Sequence, residues 1–145
     1  MKIYTGLVDA METCLVRVEA TLMRGFCGIQ LIGNNTEVVR QGLERAQAAL
    51  EKCELRVPQR KMVISTFPAS VRKDGSQFDL PFAIAIALTI KAEEPPVADI
   101  SRWLFAAELG LDGSLRPVRG IVSFAVAALA QNLEGLVVAP ENARD

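Results

Sequence analysis

Histidine is absent from this 145-residue sequence. Its absence removes the commonest general base and metal ligand at neutral pH. Cysteine is sparse. Cys14, Cys27 and Cys53 are far apart and odd in number, and no Cys-x-x-Cys occurs. Neither a zinc site nor a disulfide framework is expected, and reduced thiols in the cytosol are the plain reading. An excess of one charge is missing too. Sixteen basic and seventeen acidic residues leave a net charge of -1, which gives no general argument for nucleic-acid binding but leaves a local basic patch open. The longest apolar run, LPFAIAIALTI (80–90), falls short of the about 20 residues that span a bilayer and reads as a buried helix. The N-terminus, MKIYTGLVDA, lacks the apolar stretch of a signal peptide. A soluble, cytoplasmic protein with no membrane partner is expected. No G-x-x-x-x-G-K-[ST] occurs, so the chain does not bind ATP through a P-loop, and no cofactor or metal site is expected in it.

What is present suits one domain over residues 1–145, since half of the residues are hydrophobic. Residues 3–9 and 14–23 read as strands. In the second, Val16, Val18, Ala20 and Leu22 alternate with Arg17, Glu19 and Thr21, one face for core and one for water. A third strand covers 28–33. Asn34 or Asn35 is expected to cap a helix running to about Cys53, with Asn34 and Glu37 at capping-box spacing. Its apolar stripe is Val38, Val39, Leu43, Ala46, Ala49, Leu50 and Cys53. Residues 61–67 form a fourth strand, and 68–78 a loop carrying Arg72, Lys73, Asp74 and Gly75. Asp79 is the expected N-cap of a second helix to about Lys91, with Pro81 in its first turn. A polar, proline-rich loop follows at 93–99. Residues 104–118 read as a hairpin turning at Asp112-Gly113. Gly120 opens a third helix through Gln131, with Ile121, Ala125, Val126 and Leu129 at helical spacing, and 135–140 is a final buried strand. The order β-β-β-α-β-α-β-β-α-β predicts an α+β (mixed α/β) fold, one sheet with helices packed on it.

Four stretches then carry a resemblance. They are IQLIGNNTEVVRQGLERAQAAL (29–50), RVPQRKMVISTFPASVRKDGSQFDLPFAIAIAL (56–88), AELGLDGSLRPVRGI (107–121) and LVVAPENA (136–143). In this order the chain resembles the N-terminal domain of magnesium-chelatase-related AAA+ proteins, the ComM/YifB-like group. Members have a glycine-ended strand before a V-x-x-x-x-x-R-x-x-x-A helix, then P-A, K-x-G, D-L-P, G-E-L-x-L-x-G and a late V-x-P. Two places depart from the pattern. Asn34-Asn35 stands where relatives usually have Leu-Pro, and Ile64-Ser65-Thr66-Phe67 where they usually have Val-Asn-Leu-Ala. The resemblance implies a fold similar to the Lon proteolytic domain and to ribosomal protein S-five domain two. It also implies an AAA+ motor downstream that uses ATP and magnesium, sister subunits in a homo-hexameric ring, and DNA remodelling or branch migration in recombination or natural transformation. The chain stops at PENARD, just past the last strand, so a motor cut away or lost is expected.

The Lon likeness raises the question of serine–lysine chemistry in RKDGSQFDLP (72–81). Matching Lon's alanine-rich helix to PFAIAIAL puts Asp79 at the nucleophile's position, and Val122 falls where the lysine would be. Ser76 lies three residues before the helix start. Its only nearby amine is Lys73, expected to be solvated and charged in a polar loop, whereas a serine–lysine dyad needs a desolvated amine in hydrogen-bond reach. No catalytic residue is therefore assigned, and Asp79 is read as a helix cap that has replaced a nucleophile. The remaining signal is basic. Arg56, Arg60 and Lys61 precede or begin the fourth strand and Arg72 and Lys73 follow it, with Arg116 and Arg119 as additions, a candidate DNA-contacting patch if both strand ends share one edge. The reading is a non-catalytic accessory domain that assembles a ring or guides DNA. The alternatives are a degenerate Lon-like domain for a protein partner, and a residual serine peptidase.

Overall fold

Alternating apolar and polar residues build a central sheet. The computed structural model describes residues 2–9, 12–95 and 98–145. Its elements are β1 (Lys2–Asp9), β2 (Glu12–Met23), β3 (Gly28–Ile32), α1 (Glu37–Lys52), β4 (Lys61–Phe67), α2 (Asp79–Ile90), β5 (Trp103–Ala106), β6 (Glu108–Leu109), β7 (Leu115–Arg116), α3 (Ile121–Ala130) and β8 (Gly135–Val138). Six strands form one sheet in the order β3-β4-β2-β1-β5-β8, and β6 and β7 form a separate ribbon. In the six-stranded sheet β2 runs against its neighbours β1 and β4, while the β3–β4, β1–β5 and β5–β8 pairs are parallel. The α+β expectation holds. Of the loop expected at 93–99, residues 96–97 lie outside the described residues.

The two faces of the sheet are covered differently. Ile3 and Leu7 of β1, Val16 and Val18 of β2 and Met62 and Ile64 of β4 face α1 and α2 in the main core. On the opposite face Leu15, Leu104 and Ala106 pack against Ile121, Phe124 and Ala128 of α3. Gly6 makes that second contact close, since a Cβ there would lie 2.4 Å from the Phe124 ring. The crossovers β3-α1-β4 and β5-α3-β8 step the same way along the sheet with their helices on opposite faces. They are therefore of opposite hand, an exception to the usual right-handed rule for one of them.

Three expectations are corrected. The hairpin at 104–118 does not form as one unit, because residues 103–106 join the main sheet between β1 and β8. Only the two-residue strands of the ribbon pair across the Asp112-Gly113 loop, where Gly113 alone takes a positive φ, 87°. The α3 stripe is shifted: Ile121, Phe124 and Ala128 are buried, while Val126 and Leu129 are exposed. This helix is apolar on every side, so periodicity cannot say which side packs. The final strand, 135–138, is a half-buried sheet edge.

Candidate functional site

The segment 72–81 is built into the core from both ends. At its start Lys73 lies along the turn that precedes α1. Its N–H donates to the Asn34 carbonyl at 2.7 Å, and its own carbonyl accepts from the Thr36 N–H at 3.0 Å. Thr36, and neither asparagine, is the α1 cap: its hydroxyl oxygen accepts from the Val39 N–H, and its O–H donates to Asp74 Oδ1 at 3.0 Å. Asn35 is spent elsewhere, its Oδ1 accepting from the Thr66 hydroxyl at 2.8 Å.

Lys73 overturns the reading of a solvated loop residue. Its side chain is fully buried, 0% exposed. The ammonium donates to the carbonyls of Thr66, at 3.2 Å, and of Pro68. Burial pushes its pKa below the ordinary lysine value, and nearby Cys14 opposes the shift. Desolvation, which a dyad lysine needs, is thus present, but both recorded bonds of the amine go to main-chain carbonyls. Ser76, half-buried in the short 3-10 turn Ser76–Phe78, has a hydroxyl that makes no hydrogen bond among the described residues.

Asp79 overturns the cap reading. It has helical dihedrals of its own, φ -56° and ψ -52°, with a 3-10 turn before it. Its carboxylate accepts from Arg45 Nε at 2.5 Å, from Arg45 Nη2 at 3.1 Å and from the Leu109 N–H at 3.1 Å. The free N–H groups of α2 get no side-chain cap. The carboxylate is 0% exposed, so it joins α1, α2 and β6 inside the core. Burial pushes its pKa up, and the bonds from Arg45 and Leu109 pull it down. The bond to Asp79 raises the Arg45 pKa. Gly42 provides the room, since a Cβ there would lie 2.4 Å from Asp79 Oδ1. Val122, at the other dyad position, is exposed on α3, on the opposite face of the sheet from α2.

The basic residues do not converge. Arg60 and Lys61 stand at the start of β4, and Arg72 lies past its far end. Seven strand residues separate them by roughly 20 Å. Arg56, Arg60 and Arg72 are exposed, Lys61 is half-buried, and Lys73 is interior. Arg116 and Arg119 are exposed on and after β7. The single patch expected from sequence is therefore split, and Lys73 is withdrawn from phosphate contact. Instead, the connection 24–27, which carries Arg24 and Phe26, crosses the start of β4, where Arg60 and Lys61 stand.

Residues 18–142 match the family described as subunit ChlI of Mg-chelatase. The chain belongs to this family. It is similar to the competence protein ComM of Haemophilus influenzae, 29% identical over 143 residues, covering 99% of this chain and 28% of ComM. It is also similar to the YifB proteins of Escherichia coli, 30% identical over 127 residues and covering 88% of this chain and 24% of that protein, and of Salmonella typhimurium, 29% identical over 130 residues, covering 90% and 25%. The chain thus spans about a quarter of the length of these relatives. As a ChlI-family chain it contains no phosphate-cradling G-x-x-x-x-G-K-[ST] run, so its residues do not fit the ATP that such a loop holds. No helix among the described residues is long and apolar enough to cross a membrane.

Proposed function

We propose that this chain is a non-catalytic accessory domain of a ComM/YifB-like AAA+ ATPase, and that it helps hold the subunits of a ring together. The observation that carries this reading is the outer face of α3. Val122, Val126 and Leu129 follow at four- and three-residue spacing, one row on a helix, and are 61%, 62% and 75% exposed. A helix that is apolar all round is normally buried, and an exposed apolar row marks an interaction surface. The absence of chemistry is supported by Asp79, sealed against Arg45 at the nucleophile's position, and by the Lys73 amine, which is bonded to carbonyls. The name of the Haemophilus relative, a competence protein, supports placing the parent's task in DNA remodelling or branch migration during natural transformation. On this reading the parent is a cytoplasmic homo-hexamer, and its ATP and magnesium belong to a motor outside these residues.

The test is mass photometry of the full-length protein with and without ATP. Val126→Glu and Leu129→Glu place charge on the outer side of α3 and should leave the circular dichroism of the domain unchanged. They should reduce the ring population at least tenfold. Rings that form equally well with both substitutions would refute the assembly role.

A further inference from the structure

We propose that the loop 24–27, together with Arg60 and Lys61, is a contact site for single-stranded nucleic acid. The inference does not depend on the assembly reading of α3, which concerns a different surface. It begins with strand order. β2 and β3 flank β4, and Met23 and Gly28 both pair with Lys61. The chain from 24 to 27 must therefore arch over the start of β4, where Arg60 and Lys61 stand. The Lys61 stem lies against the arch, because a Cβ on Gly25 would sit 3.0 Å from its Cδ.

Phe26 lies in this arch with 98% of its surface exposed. It is the most exposed of the large apolar side chains, and its ring packs on no other ring among the described residues. Gly25 and Gly28 bracket it with φ of 144° and 140°, and nothing lies within 4 Å of a Cβ added at Gly28. The cations beside it are uncompensated. Arg24, Arg60 and Lys61 form no ion pair among the described residues, whereas Arg17, Arg45, Lys91 and Arg102 do. No acidic residue occurs in 20–32 or 56–63.

An unpartnered ring face among free cations fits a ligand that offers both a π face and a phosphate chain. Single-stranded nucleic acid supplies both: its bases stack on aromatic side chains and its phosphates release counterions to the cations. A duplex offers the phosphates but keeps its bases stacked away from the ring. Of the basic residues singled out by sequence, this site keeps Arg60 and Lys61, leaves out Arg72 and Lys73, and adds Arg24 and Phe26.

The experiment is fluorescence anisotropy of the 145-residue chain with labelled oligothymidylate, oligouridylate and a DNA duplex, at low and at physiological salt, with heparin as a polyanion lacking bases. Both single strands should bind at low salt in the non-specific range of about 10⁻⁴ to 10⁻⁶ M and weaken as salt rises. Phe26→Ala should lower single-strand affinity roughly tenfold and leave heparin binding unchanged. Arg24→Glu with Lys61→Glu should abolish both. Phe26→Trp should preserve binding, and the fluorescence of the added indole should be quenched by the oligonucleotide. Arg24 and Phe26 are exposed and Lys61 is half-buried at a strand end, so circular dichroism should match wild type. Equal affinity for the two single strands, or preference for one, supports the site, and a preference tells DNA from RNA. Unchanged binding by Phe26→Ala together with no quenching in Phe26→Trp overturns it in favour of charge alone. Absence of single-strand binding at low salt overturns it in favour of a protein partner for the ring.

Discussion

Arg45 Nε lies 2.5 Å from Asp79 Oδ2, across 34 residues of sequence, and this pair fastens α1 to the start of α2. Removing Arg45 leaves the Asp79 carboxylate buried without its partner, which costs about 3–5 kcal/mol, whereas removing Asp79 leaves only the half-buried Arg45, at a smaller cost. Arg45→Ala should lose stability in that range in urea unfolding, and Asp79→Ala and Asp79→Asn should each lose a smaller but measurable amount. Asp79→Asn is the informative variant. A cap would tolerate it at a cost near zero, whereas an ion pair would not. The double variant Arg45→Met/Asp79→Leu should lose less than either alanine variant.

Gly42→Ala should destabilise the protein although alanine is the better helix former by about 1 kcal/mol. The added methyl would sit 2.4 Å from Asp79 Oδ1 and would push the two helices apart, an overpacking cost of about 1–3 kcal/mol. Thermal unfolding checks the sign: a rise in Tm would contradict the close approach.

The cap of α1 is assigned to Thr36. Thr36→Ala should cost about 1 kcal/mol, with a further loss from the Thr36–Asp74 bond. Asn34→Ala should be near neutral, since among the described residues the side chain of Asn34 makes no hydrogen bond and its main-chain carbonyl is kept. Chemical denaturation of the two variants separates these outcomes.

Lys73 sets a pH dependence. Its pKa is lowered from the ordinary value of 10.5 in the folded protein. Between the folded value and that of the unfolded chain, the unfolded state binds more protons, so stability rises with pH through this window. The burial penalty is fully present below the folded pKa and is gone above the unfolded one. Denaturation of wild type and Lys73→Met from neutral to alkaline pH should show a rising difference between them in favour of the wild type.

Much of the frame is legible in the residues themselves. β4 is found at its limits, 61–67, because Pro58 breaks the link before a short run rich in β-branched and apolar residues. α2 is found because an unbroken apolar run of its length has nowhere to go but the core. What was not legible is what depends on partners distant in sequence. Nothing near Lys73 says that it turns inward, because its acceptors are main-chain carbonyls, which every residue carries. Asp79 looks like a cap until Arg45 is placed beside it. The one hint is Gly42, a glycine inside a good helical pattern, which signals close approach of another group. α3 hides its buried side because all its sides are apolar. Phe26 is not legible as part of a basic site, because Arg60 and Lys61 are distant in sequence and their strand end is reached only through the β2–β4–β3 order.

On the proposed reading, the Arg45–Asp79 ion pair stands where the resemblance to Lon implies a nucleophile, and no other group takes over the chemistry. The most direct measurement is incubation of the protein with a fluorophosphonate probe and with casein, wild type beside Ser76→Ala and Lys73→Met. The account predicts no labelling and no cleavage above buffer for all three. Labelling or turnover in the wild type that is lost in Ser76→Ala would contradict it.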